Sequence, residues 1–195
     1  MGSRTLVKLI HNFSQKYPLV QFQLYSEIAD QVKERLDKGL TDVGLLMEPV
    51  DIQKYEYLRL AQKGTWGILL RRDHPLAEKK LITPEDIASY PLIMPVRERV
   101  RDAIVNWIGK DEKELWIPLM FNLLSNATLL VEEGLGCAFC MDGAVAVRSS
   151  PNLKFIPVSP ERDTHSVLVW KKNQLFSPAS SLFIQEINMM RMQIR

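Results

Sequence analysis

This chain has little of what marks a metal, redox or membrane protein. Its 195 residues include two cysteines, three histidines and nine glycines. No apolar run approaches the roughly 20 residues needed to cross a bilayer. Met1-Gly2-Ser3-Arg4 leads straight into a charged helical pattern, with no export signal. With so few cysteines, the expected setting is reducing and cytoplasmic. A dominant charge is missing too: 25 basic residues against 23 acidic ones leave +2, too balanced to announce a nucleic-acid surface.

The sparse residues do not cluster. His11, His74 and His165 each stand alone, without a second His or Cys at ligand spacing, so a zinc site is not expected. Cys137 and Cys140 form a lone CxxC inside a strand pattern. Residues three apart on a strand face opposite ways, so the pair reads as buried structural thiols. Gly134-Leu135-Gly136 follows a helix instead of preceding one. The glycines therefore meet the negative end of the helix dipole, and a dinucleotide site is rejected. No GxSxG elbow occurs, and Glu132-Glu133 at a helix end reads as solvated. The expectation is a binding protein with no cofactor and no metal, not an enzyme.

What the chain does have is one pattern written twice. VKERLDKGLTDVGLLM (32–47) and LLVEEGLGCAFCM (129–141) each run from a charged amphipathic stretch through a glycine into an apolar stretch. That is a helix, a left-handed stop at Gly39 or Gly134, and a buried strand. Two such units suggest two similar α/β lobes, an arrangement that makes small-molecule clefts. Helices are expected over about 5–16 and 97–109 and from Pro178 onward. A further helix capped by Ser26 is expected, and a well-formed helix start at Thr83-Pro84-Glu85-Asp86. Strands are expected over Val20–Leu24, Asp42–Met47, 55–60, 65–70, Leu92–Met94, Trp116–Phe121, 153–157 and 166–170. Their alternation with helices argues for parallel pairing. No linker rich in Gly, Pro or Ser separates the lobes, so the chain must cross over, near 62–66 and 164–168.

Two helix starts invite a polar ligand. Arg97, Arg99 and Arg101 fall in first turns, where each cation is disfavoured by about 0.3–1 kcal/mol. Arg97 and Arg101 share a face and could receive a carboxylate or phosphate; a solvated basic face or a subunit contact explains them as well. Ser125-Asn126-Ala127-Thr128 offers hydroxyls and amides to an anion, or simple capping by Ser125.

RLDKGLTDVGLL, RDHPLA followed by ITPEDIASYPLI, and VEEGLGCAF match in order and spacing the effector-binding domain of LysR-type transcriptional regulators. FSQKYPLVQFQL resembles that family's first helix and second strand, and the resemblance spans roughly residues 4–192. It implies two Rossmann-like lobes joined by two crossover segments, as in type 2 periplasmic binding proteins. Lobe I would be 1–63 and 166–195, and lobe II would be 64–165. It also implies a small-molecule effector between the lobes, which the arginines point to being anionic, near Met47, Glu48 and Pro49, then Pro95, Val96 and Arg97, Ser125 and Asn126, and Cys140 and Met141. Subunits of a homodimer or homotetramer would pair the first helix with helix 97–109, which competes with an anion site at Arg99 and Arg101. The family's DNA-binding domain lies outside this sequence, and no membrane partner is implied. The first strand of lobe I and the loop after it also have no match here. Lobe I is therefore expected to be distorted or completed by another segment or subunit. A stand-alone solute-binding protein of similar lobes is the alternative, and it would normally carry an export signal.

Overall fold

The computed structural model describes residues 2–142 and 150–193. The chain divides into two units, one of Met1–Lys63 with His165–Arg195 and one of Gly64–Thr164. Strands β2 (Tyr55–Arg71) and β7 (Asp163–Lys171) carry the chain from one unit to the other.

In the first unit, helix α1 (Gly2–Lys16) follows from the stripe Leu6, Leu9, Ile10 and Phe13. That stripe packs on Leu58, Leu60, Leu168, Trp170 and, from helix α6 (Pro178–Gln193), Phe183, Ile184 and Ile187. Phe13 meets Phe22 and Phe183 edge-on, with centroids 5.8 and 5.2 Å away, and such pairs add about 0.5–1.5 kcal/mol beyond area burial. Helix α2 (Ala29–Asp37) buries Leu36 completely. It stops at Gly39 (φ 67°), where the Leu40 amide donates back to Arg35 O at 2.9 Å. Gly44 then opens strand β1 (Gly44–Met47) directly beneath α2. A Cβ there would lie 2.8 Å from Val32 and 3.1 Å from Leu36, so the close approach requires glycine. Strand β1 runs antiparallel to β7, with Gly44 opposite Val169 and Met47 opposite Ser166; β7 in turn neighbours β2.

The second unit has a sheet ordered β6, β2, β5, β3, β4. Strands β5 (Cys137–Met141) and β6 (Leu153–Pro157) flank β2 antiparallel. Strand β3 (Leu92–Pro95) lies parallel to β5 on one side and to β4 (Leu119–Phe121) on the other. Side chains alternate between two cores. Leu92, Met94, Cys137 and Phe139 pack on one face with Ile68 and Ile156. Ile93, Ala138 and Cys140 pack on the other with Leu69, Ala127 and Val131. Runs buried on both faces belong to interior strands. Helix α3 (Pro84–Ile87) starts in a capping box between Thr83 and Asp86. Helix α4 (Glu98–Ile108) buries Val100, Ile104, Trp107 and Ile108 and stops at Gly109 (φ 74°). Helix α5 (Leu124–Glu132) stops at Gly134 (φ 79°) and leads into β5.

Several expectations are corrected. Val20–Leu24 joins no ladder. Helix α2 starts at Ala29 with Ile28 as N-cap and no side-chain cap, so Ser26 lies upstream of it. The segments 55–60 and 65–70 are one continuous strand. Its Gly64 admits the Met141 side chain, whose Cε would be 2.5 Å from a Cβ there. Strand β4 begins at Leu119, not Trp116, and Trp116 is exposed. Pairing is mixed: β1–β7, β2–β5 and β2–β6 are antiparallel.

Candidate functional site

The second unit gathers most of the singled-out residues along one edge of its sheet. Strands β3, β4 and β5 are mutually parallel through β3, so their C-terminal ends lie on the same side. Pro95 is opposite Phe121, and the Val96 amide continues the ladder to Phe121 O at 2.9 Å. Helix α4 begins after β3 and helix α5 after β4, so both N-termini open at that edge. Ligands of open α/β sheets favour this location, where helix amides and the positive ends of helix dipoles converge.

Arg97 is the N-cap of α4, in extended conformation, with its carbonyl accepting from Val100 and Arg101 at 3.0 and 2.9 Å. Its side chain is half-buried, and Val96 beside it is exposed. Arg101 is committed elsewhere. Its Nε donates to Glu112 at 3.1 Å and its Nη1 to Val96 O at 3.1 Å, so it braces the loop instead of joining Arg97 on an anion. Arg99 is exposed. Ser125 is not the cap of α5: that position is Leu123, without a side-chain cap bond. Ser125 and Asn126 occupy the first turn, half-buried and exposed respectively, and the Asn126 amide donates to Leu123 O at 3.0 Å.

Met141 ends β5 opposite Trp66 and is buried. Cys140 is 4% exposed and packs with Ile93, Ala127 and Val131, so its side chain belongs to the core. Burial pushes its thiol pKa well up, and that of Cys137 to about 12. Both sulfurs are free, protonated at neutral pH and on opposite faces, which removes a nucleophile or disulfide at this CxxC.

In the first unit, Met47 ends β1 and Glu48 and Pro49 follow it. The Glu48 amide bonds His165 O at 3.0 Å. Its carboxylate accepts from Arg59 Nη2 at 2.6 Å and Nε at 3.2 Å. No sequence spacing linked Glu48 to Arg59, which reaches it from β2, the strand beyond β7. Sequence reading also missed a pairing of His74 with Cys137. His74 Nδ1 accepts the Leu76 amide at 3.2 Å, so Nε2 carries the proton and faces Cys137 Sγ at 3.5 Å. Burial lowers the His74 pKa, so this contact is neutral. No group of three or more His, Cys, Asp or Glu able to hold a metal occurs among the described residues. No helix among them is long and apolar enough to cross a membrane.

A sheet with two helix starts over its carboxyl edge is an arrangement suited to holding a polar ligand. The chain belongs to the LysR substrate binding domain family, whose model matches residues 1–190. Members of this family are the effector-binding parts of transcriptional regulators, and the chain has their two-lobe, periplasmic-binding-protein-like α/β fold. The HTH-type transcriptional regulator YvbU of Bacillus subtilis is 38% identical over 87 residues, covering 45% of this chain and 29% of its own length. The first three curated relatives are spanned over 29%, 49% and 61% of their lengths. Among solved structures, the effector-binding domain of QuiR in complex with shikimate aligns at a TM-score of 0.83 and 20% identity. That alignment covers 99% of this chain and 93% of the QuiR domain in that structure. The regulatory domain of Synechocystis PCC6803 CcmR in complex with 2-PG aligns at 0.79 and 17% identity, covering 97% and 92%.

Proposed function

We propose that this chain is the effector-sensing part of a LysR-type transcription regulator and that it binds a small anionic metabolite. Pro95, Val96, Arg97, Ser125, Asn126 and Met141 are the candidate contacts in the second unit, and Met47, Glu48 and Pro49 those in the first. The observation that carries this reading is the common C-terminal edge of β3, β4 and β5, over which α4 and α5 both start, with Arg97 at one start and Ser125 at the other. Two helix N-termini and a guanidinium favour a carboxylate or phosphate over a neutral molecule. The carboxylate ligand in the QuiR complex is of that class. The regulator acts as a homodimer or homotetramer in the cytoplasm, with DNA contacts made by another domain. Binding shifts the oligomer between arrangements to the extent that the effector prefers one of them.

The test is thermal unfolding against a panel of small carboxylates, amino acids and phosphorylated metabolites. A ligand at 100 times its dissociation constant adds about 2.7 kcal/mol to stability, a clear rise in midpoint. The rise is expected with one class of anion, and Arg97→Ala should weaken its binding at least tenfold. A hit whose affinity is untouched in Arg97→Ala and in Ser125→Ala would overturn the site.

A further inference from the structure

Gly64 lies on β2 beside the end of β5 and is buried, and one side chain takes up the place its missing Cβ leaves. A Cβ there would stand 2.5 Å from Met141 Cε and 3.6 Å from its Sδ, while Asp142 Oδ1 is in ordinary contact at 3.8 Å. The register fixes the face. Trp66 is opposite Met141 and Ile68 opposite Phe139, so Gly64, two residues before Trp66, shares the face on which Ile68 and Phe139 pack. Helix α4 covers that face with Val100, Ile104 and Trp107. The other flank of β5 is β3. Ile93 is level with Ala138, and three residues on along both parallel strands Val96 comes level with Met141. Met141 is thus bounded by Gly64 and Trp66 on one side. On the other stands Val96, 41% exposed, immediately before Arg97 at the start of α4.

We infer that Gly64 is a specificity-determining residue: it lets the Met141 side chain lie back over β2, which leaves the place beside Val96 and Arg97 to the apolar body of an anionic effector. This rests on the anion site proposed at the carboxyl edge of the same sheet, and it adds what limits the size of the ligand. Methionine is unbranched and flexible, so its methyl end yields where backbone would not. A methyl group at position 64 displaces it. Trp66 already occupies the next place along β2, so the side chain swings towards β3 and lies over Val96, where the body of the ligand belongs. Interiors are packed too closely to absorb such a shift elsewhere. The Arg97 guanidinium and the helix starts are untouched, so the change falls on the ligand's bulk and not on its charge.

The affinities of four anions, measured by NMR titration of the chain, test this: acetate and cyclohexanecarboxylate, inorganic phosphate and cyclohexyl phosphate. In Gly64→Ala the affinity of the ring-bearing anion relative to its small counterpart should fall at least tenfold. Gly64→Ala combined with Met141→Ala should show the same ratio as Met141→Ala alone, because nothing is then left to displace. An unchanged ratio in Gly64→Ala, with Arg97→Ala still weakening the same anion, overturns this inference and leaves the anion site standing. So does a fall that persists alongside Met141→Ala, which would mark a backbone effect of the new Cβ. Loss of cooperative urea unfolding in Gly64→Ala also overturns it, because Met141 would then have no place to move to. Binding of none of the four to the unmodified chain overturns the site itself, and the inference with it.

Discussion

The two helix–glycine–strand passages begin alike and end in different surroundings. In the second unit, α5 stops at Gly134 and β5 enters an interior position, parallel to β3 and antiparallel to β2. In the first, α2 stops at Gly39 and β1 finds one ladder neighbour among the described residues, antiparallel β7. The local pattern therefore sets the helix end, the turn and the burial of the strand. Neighbour and direction come from the rest of the chain. The second unit thereby has a continuous carboxyl edge formed by β3, β4 and β5.

The largest expected effect separates the two glycine turns. Gly136 has φ 151°, and a Cβ on it would sit 2.6 Å from Pro91 O, the acceptor of the Cys137 amide. Gly136→Ala should cost about 4 kcal/mol from strain and overpacking together, read by urea denaturation. Gly39 has φ 67° with nothing nearer than 3.8 Å, so Gly39→Ala should cost only about 1 kcal/mol, the left-handed backbone penalty alone. Equal losses would contradict the distinction between a crowded and an open turn.

Next come the paired core positions. Leu36 and Val131 precede their glycines by the same spacing, and both are 0% exposed. Leu36→Ala should cost about 3 kcal/mol. Val131→Ala removes fewer methyl groups and should cost about 2 kcal/mol. If Leu36→Ala proved the milder of the two, the first unit would be looser around α2 than its packing indicates.

Smaller still is the cap of α3. Thr83→Ala removes the bond from the Asp86 amide at 3.4 Å and should cost about 1 kcal/mol in the same denaturation assay. The smallest effect is a pH slope from the second unit. Burial holds His74 below its ordinary pKa of 6.5, so the unfolded chain binds its proton first. Stability should be unaffected by this group above about pH 6.5, decline as pH falls below that value, and level off below the folded-state pKa. His74→Gln should flatten that part of a pH series of unfolding midpoints.

Much of this was legible in the chain, and the failures have physical causes. Gly39 and Gly134, the Thr83 start and the double-faced burial of Leu92–Met94 depend on residues within a turn or two, and a single sequence carries them. The segment Val20–Leu24 shows the limit. Alternation reports one face inward, and Val20 and Phe22 do pack against the core, but a ladder needs a neighbour that local pattern does not supply. Ser26 was assigned as a cap by residue type and capping was one reading of Ser125, and the helices start at Ala29 and Leu124 instead. Gly64 read as a break because glycine often interrupts strands; here it leaves room for Met141 and β2 runs through. For the site, residue identity pointed to Arg97 and Ser125. That both stand at one sheet edge depended on the parallel register of β3 with β4, and the commitment of Arg101 to Glu112 on a contact across a loop.

The most direct test is a nitrogen-15 NMR titration of the chain with the anion selected by the unfolding panel. The account predicts that the largest amide shifts fall on Val96, Arg97, Ser125 and Asn126, with little change over Gln21–Tyr25. Shifts concentrated on Gln21–Tyr25, or elsewhere with Val96, Arg97, Ser125 and Asn126 unmoved, would contradict an effector site at the carboxyl edge of the second unit's sheet.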